Sequence, residues 1–439
     1  MAKKKKSGLR IGSYVVRPLG IIIIAVLLVA LLVVGALIIF QQVGGQDATV
    51  PEPSPVVVEI TPTPSPTVTP TPSPSPSPTP SPTPSLRSAT IRSLGEIVVQ
   101  QELIDSARTE TSYDFTPMFE YIKDVVGNAD YTVGDVEGPM DNRADSAYSG
   151  ADPFNTPPQI MLAMKDAGVD MLTLANAHSL DMYFEGLQQT IQNCETAEMD
   201  YIGAYSSQEA FDTPKIVEIN GINVGFLNYT TTLSGRLEES RTEAATYGVA
   251  TTSNRNVFSD VTAAREAGAD VVVAYITWGE VGQRTLSAAD QQLAMTMSSA
   301  GVDVIIGYHP HTTIAAYWLE SQLEDGSAHR TLCLCATGNF LSNITDRYYS
   351  SGVIFEFTIQ ETSAGEFEIT NPVYIPTYVW RYENEENDGY EYRVLAVGEW
   401  LDEAPEGMST EVQNNLQIVW QDIQDAMALG NAGATVSAN

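Results

Sequence analysis

Three of the four histidines in this 439-residue chain, His178, His309 and His311, stand just behind apolar runs, in segments that read as strand ends. The segments are ANAHSLD (175–181) and YHPH (308–311), and TWGE (277–280) and TGNF (337–340) end apolar runs in the same way. Acidic residues take similar positions. Glu96 follows Gly95 after the first run, and Asp135 and Glu137 sit in GDVEGPM behind the YTV run. Imidazole is the commonest borderline metal ligand, and Asp, Glu and Asn oxygens suit harder divalent ions. Glu96, Glu137, Asn176, His178, His309 and His311 thus form a mixed nitrogen and oxygen set for one or two divalent ions, with manganese, zinc and iron as candidates. Two ions about 3.5–4 Å apart activate a water and clamp a phosphoryl or acyl oxygen. Taken singly, each histidine reads better as a loop or core residue, and Gly-Asp or Gly-Asn pairs are ordinary turn chemistry. The coincidence of four strand ends carries the reading. His329, in a polar loop, is left out.

Elements of one kind must bring these ends together. Three segments repeat a helical pattern, an Ala-Gly exit and a β-branched strand: Ala167-Gly168-Val169-Asp170 into MLTLA, Ala267-Gly268-Ala269-Asp270 into VVVAYI, and Ala300-Gly301-Val302-Asp303 into VIIG. The glycine supplies a left-handed C-cap, and the apolar run reads as a strand buried on both faces. Further strands are expected at 89–94, 223–229, 331–336 and 353–359. Strands alternating with helices predict an α/β fold, in which ligands bind at the carboxyl edge of the strands. Pro310 excludes a helix between His309 and His311 and predicts an extended turn there. Cys333 and Cys335 alternate with leucines on one strand face, and with Cys194 they read as buried small hydrophobes; a C-x-C metal site is the weaker alternative.

The first part of the chain does not fold into a core. Residues 1–18 hold Lys3, Lys4, Lys5, Lys6, Arg10 and Arg17 and no acid, and residues 19–40 carry no charge. A helix over 19–40 spans roughly 33 Å against a hydrocarbon core of about 30 Å, longer than the apolar region of a cleavable signal. The basic flank keeps the N-terminus cytoplasmic, so the expectation is a single-pass membrane protein with its globular part outside the cell. Residues 41–87 form a spacer in which proline alternates with Ser or Thr from 61 to 85. Polyproline II at 3.1 Å per residue carries that stretch roughly 78 Å, far enough to lift a domain through a bacterial wall. Taking the six basic residues from 22 leaves 16 against 55 acids, a charge of −39 on the exported part. Such a surface repels phosphate and excludes nucleic acid as a partner.

From Glu96 to about Ile359 the chain resembles the poly-γ-glutamate capsule-synthesis family (CapA), whose domain is related to metallophosphoesterases. The motifs that carry the resemblance are GDVEGPM, DPFNTPPQIMLAMKDAGVDMLTLANAHSLD, EINGINVGFLNYTT, TWGE, AGVDVIIGYHPH and TGNFLSN, in family order. It implies a sandwich of two β-sheets flanked by helices over residues 88–360, with a metal-type site at the strand ends. It also implies membrane proteins of capsule synthesis and an anionic surface polymer as partners. The chain departs from the family pattern at four places. Glu96 stands for Asp, Asp135-Val136-Glu137 for Asn-Leu-Glu, Asn176-Ala177-His178 for Asn-Asn-His, and Thr277-Trp278-Gly279 for His-Trp-Gly. Asp135, His178, Thr277 and Glu280 are the candidates for catalytic work, and Arg143, Arg236 and Arg241 for substrate contacts. Two functions follow: a metal-dependent hydrolase or transferase acting on the polymer, or a non-catalytic module that tethers it, which the loss of an imidazole at Thr277 favours. Beyond Gln360, residues 361–439 read as an extension of strands and an amphipathic helix with Val412, Leu416, Val419, Ile423 and Met427 on one face. The tail from Asn431 is expected to be without structure.

Overall fold

The computed structural model of the chain describes residues 9–11, 14–16, 86–233, 244–384, 389–403, 405 and 407–439. It divides into two units, 1–81 and 82–439. The described residues of the first are two short strands, Leu9–Ile11 and Tyr14–Val16, paired antiparallel. The expected membrane helix at 19–40 and nearly all of the spacer lie outside the described residues. Among the described residues no helix is long and apolar enough to cross a membrane.

The second unit is mixed α/β with two sheets. Its strands begin with β1 (Ser88–Ile97), β2 (Tyr131–Val136), β3 (Met171–Thr173), β4 (Asp200–Ile202), β5 (Lys215–Ile219), β6 (Ile222–Thr230), β7 (Val271–Thr277) and β8 (Val304–Tyr308). They continue with β9 (Thr313–Gln322), β10 (Ala328–Thr337), β11 (Asn339–Leu341), β12 (Ser351–Ser363), β13 (Glu366–Asn384), β14 (Gly389–Ala396) and β15 (Thr435–Val436). The larger sheet runs β14-β13-β12-β1-β2-β3-β4, with β11 beside β1 and β15 beside β13; the smaller runs β9-β10-β8-β7-β6-β5. β1 to β4 are mutually parallel, as are β6, β7, β8 and β10.

The apolar pattern explains the layering. Along β7, Val271, Val273 and Tyr275 meet Ile91, Val133, Phe226 and Phe355 in the core between the sheets. Val272, Ala274 and Ile276 face the other way, against α3 (Val257–Glu266) and α4 (Ala288–Ala300). The outer face of the larger sheet is covered by α1 (Gln159–Asp166) and α2 (Tyr183–Thr196) through Ile160, Met164, Leu187 and Ile191. Strands buried on both faces thus sit in the middle of four layers, which is why their sequences read as unbroken apolar runs. Gly168, Gly268 and Gly301, the three Ala-Gly exits, all have left-handed φ near 100°. The three cysteines are buried and free, and Cys333 and Cys335 share the apolar layer beneath α4.

The C-terminal stretch is woven into the same unit. β13 and β14 extend the larger sheet, and α5 (Thr410–Met427) turns Leu416, Val419, Ile423 and Met427 into the core between the sheets. The tail is ordered, contrary to expectation. Asn431 Oδ1 accepts the Trp318 amide at 2.6 Å, the Ala432 carbonyl accepts the Trp318 indole N–H at 3.0 Å, and β15 pairs with β13. These partners lie more than a hundred residues upstream or in another strand, so no local pattern announces them.

Candidate metal centre

The parallel register of the larger sheet sets four polar residues side by side. Asn339 on β11 pairs with Glu96 on β1, Glu96 with Asp135 on β2, and Asp135 with Thr173 on β3. All four are buried. Glu137 follows β2, and its amide donates to the Ile97 carbonyl at 3.0 Å, which carries the row one step past the strand ends. The smaller sheet delivers His309 and His311 from the end of β8. Both have positive φ, 96° and 57°, so the segment is left-handed rather than the expected extended turn. Residues without glycine's freedom hold that conformation where surrounding contacts over-determine it, and such strain concentrates at functional sites.

The ligand-type atoms converge. One ligand atom each from Glu137, His309 and His311 lie within 4.8 Å of one another. His311 Nδ1 is 3.1 Å from Glu96 Oε2 and 3.0 Å from Asn339 Oδ1, while its Nε2 is 3.8 Å from Glu137 Oε2. His178 Nε2 is 3.7 Å from Glu137 Oε1, and its Nδ1 is 2.9 Å from Asp181 Oδ2. Asp181 also accepts the Phe154 amide at 2.8 Å, so the carboxylate that orients His178 is itself held. The remaining expected ligand, Asn176, acts as a brace. Its Oδ1 accepts the amides of Gly138 (3.3 Å) and His178 (3.1 Å), and its Nδ2 donates to the Val136 carbonyl (2.9 Å).

The electrostatics follow from this packing. Burial pushes the Asp135 carboxyl well above the usual range; the Thr173 hydroxyl, which donates to it at 2.7 Å, offsets part of this, and Glu96 and Glu137 add to it. Burial lowers the His311 value, but Glu96 and Glu137 outweigh it and carry the imidazole up to about 10. At His178 burial is likewise outweighed, here by the Asp181 hydrogen bond and Glu137, and the value rises. His309 is pushed down by burial. Glu96 Oε1 and His309 Nδ1 are buried with no hydrogen-bond partner. An orphaned buried polar atom costs about 1–3 kcal/mol, and both are atoms of the kind that ligate a cation. The residues present therefore fit a divalent ion.

The other candidates are placed differently. Thr277 is buried and its hydroxyl donates to the Ala175 carbonyl at 3.2 Å. Glu280 is exposed; its amide donates to Gln283 Oε1, and no described contact joins its carboxylate to the cluster. Arg143 is clamped on Asp141, with Nη2 2.6 Å from Oδ2. Arg236 and Arg241 lie outside the described residues. Thr173, Asp181 and Asn339 were not singled out from the sequence. Asp181, three residues after His178 in HSLD, was legible as an orienting carboxylate, whereas the other two emerge only from strand register.

The profile of the family described as bacterial capsule synthesis protein (PGA_cap) matches residues 90–344, which is more than half of the chain and contains every residue of the centre. The chain belongs to this capsule-synthesis family. It is 25% identical over 258 residues to the PGA biosynthesis protein CapA of Bacillus subtilis, covering 58% of this chain and 64% of that one. With the capsule biosynthesis protein CapA of Bacillus anthracis it shares 28% identity over 228 residues, covering 51% and 54%. The match thus spans less than two thirds of either relative. Among solved structures it is similar to the NAD nucleotidase of Haemophilus influenzae, at 8% identity and a TM-score of 0.40 over 81% of this chain and 58% of that one. A hypothetical protein of Thermus thermophilus is similar at 12% identity and a TM-score of 0.36, over 65% of this chain and 99% of that one.

Proposed function

We propose that this family member acts at the cell surface in the synthesis, export or attachment of an anionic capsule polymer, as a metal-dependent hydrolase or transferase of the metallophosphoesterase-like class. The observation that carries the reading is the convergence of Glu96, Glu137, His178, His309 and His311, with two orphaned buried atoms among them. The capsule-named relatives support the polymer, and the apolar run at 19–40 behind a basic flank supports a membrane anchor with the globular unit outside. A divalent ion bound there supplies Lewis acidity and a water of lowered pKa. Glu137 lies between His178 and His311, 3.7 and 3.8 Å from their Nε2 atoms. His178, fixed through Nδ1 by Asp181, presents Nε2 to the cluster and can give or take a proton at that atom. The surrounding acidic surface repels a polyanion, so polymer contact is confined to the centre and its loops.

One observation favours a tethering module instead. The Thr277 hydroxyl, at the position where the family pattern has an imidazole, is bonded to a backbone carbonyl. Elemental analysis of the purified chain decides whether either reading has a metal. A near-stoichiometric divalent ion is expected, lost in the His309→Ala, His311→Ala double variant while circular dichroism stays unchanged. Metal bound equally by the double variant would place the site elsewhere.

A further inference from the structure

Every arginine described in the globular unit lies within ion-pair distance of a carboxylate except Arg284 and Arg381. Arg284 is an exposed cation stacked on Tyr348. Arg381 is half-buried, its guanidinium carbon lies 3.6 Å from the Tyr390 ring centroid, and its Nε is buried without a hydrogen-bond partner. In a chain with 55 acids and 22 bases, carboxylates are abundant. A half-buried guanidinium left without one is a place where an anion can arrive from outside.

Arg381 lines a cleft of about 530 Å³ whose walls include none of the metal ligands, within the range of small-ligand sites. Tyr378, Tyr382, Tyr390 and Tyr392 share its walls. Two of them are braced: the Tyr392 hydroxyl donates to Asn343 Oδ1 at 2.7 Å, and Asn415 Nδ2 donates to the Tyr378 oxygen at 3.5 Å. The cleft also runs along a free sheet edge. β12 pairs with β13 only as far as Ser351 opposite Tyr378, so among the described residues those that follow in β13 have β14 on one flank and no strand on the other. Val379 donates its amide to the Ser350 carbonyl at 3.0 Å, away from β14. Antiparallel pairing alternates, so Arg381 and Glu383 turn their amides and carbonyls to that same open flank. An unpaired edge recognises an extended amide chain by strand addition.

We propose that this cleft binds the carboxyl end of an extended peptide, whose backbone adds to the β13 edge at Arg381 and Glu383 and whose terminal carboxylate pairs with the Arg381 guanidinium. Glu383 and Glu411, exposed in the cleft lining, repel a chain with many carboxylates and leave a place for one. None of the metal ligands lines the site, which does not depend on the function proposed for them. Calorimetric titration of the detergent-solubilised full chain tests it, with trialanine, trialaninamide and cellobiose as probes and with EDTA present or absent. Trialanine is expected to bind one to one, EDTA to change nothing, and trialaninamide to bind ten- to a hundred-fold more weakly. Arg381→Gln should weaken trialanine by a similar factor, and Arg381→Lys by less. Equal affinity for acid and amide, binding of cellobiose instead of peptide, dependence on metal, or no peptide binding would each overturn the proposal. The acid-amide comparison on the native chain holds whether or not the variants fold.

Discussion

At the scale of single residues, the centre is built from side chains whose polar capacity is partly spoken for and partly open. Asn176, Asp181, Thr173 and Asn339 each bond to a backbone group or a neighbouring side chain, and so fix the groups beside them. Glu96 Oε1 and His309 Nδ1 are left over. Thr277 belongs to the first group, since its hydroxyl ties the end of β7 to the Ala175 carbonyl. An imidazole at that position would exchange this brace for another candidate ligand. Thr277→His is therefore expected to raise metal stoichiometry and the rate of aryl phosphate hydrolysis with manganese or zinc supplied. A preorganised charge-stabilising group is worth about 10²–10³-fold, which sets the upper size of the gain. Strong native turnover that the substitution leaves unchanged or lowers would mean that Thr277 serves a working site of different design, and the tethering reading would fall.

At the scale of elements, strand placement controls the centre because the ligands ride on strand ends. β8 carries two of the three histidines, and it approaches β10 closely at Gly307. A Cβ there would stand 2.0 Å from the Cys335 carbonyl oxygen and 2.6 Å from the Trp278 indole nitrogen. The indole N–H donates to that same carbonyl at 2.8 Å. Neither neighbour can yield without opening the sheet. Gly307→Ala should cost at least the 1–3 kcal/mol typical of overpacking, and it should lower metal affinity by shifting His309 and His311. Thermal unfolding and metal titration of the variant check both. An unchanged melting temperature with intact metal binding would show that β8 has slack the packing does not suggest.

At the scale of the whole globular unit, the two sheets are tied at the edge where β1 begins. Arg87 gives Nη2 and Nε to Glu361 on β12 at 2.8 and 2.9 Å, while its Nη1 donates to the Gly221 carbonyl in the β5–β6 turn. One side chain thus links the larger sheet to the smaller. The Arg87 hydrogen bonds, together with its amide and that of Gly365, hold the Glu361 carboxyl down at about 2 against an ordinary 4.5. A carboxylate whose folded value is depressed adds stability above its unfolded value and loses it as pH falls toward the folded one. Arg87→Ala should accordingly lower the melting temperature at pH 6, and the gap from the native chain should narrow between pH 4.5 and pH 2.5. A gap of the same size at both ends of that range would remove this pair from the acid response.

The sequence by itself determined the long apolar strands, the ends of three helices and the segments that carry ligand-type chemistry. Those properties are local: alternating or unbroken apolar runs decide a strand, and Gly168, Gly268 and Gly301 end their helices because little else tolerates a left-handed φ. The order of motifs also made the family legible. Tertiary structure decided which of the chemistry-bearing residues meet. Strand register, a contact between distant segments, set Asn339, Glu96, Asp135 and Thr173 in one row and brought Glu137 to His178 and His311. It also left Glu280 in solvent, bound Arg143 to Asp141, and gave the tail from Asn431 its partners on Trp318. The left-handed turn at His309 and His311 was hidden for the same reason. Pro310 restricts only the local choices, and the surrounding packing selected the strained one that aims both imidazoles at Glu137.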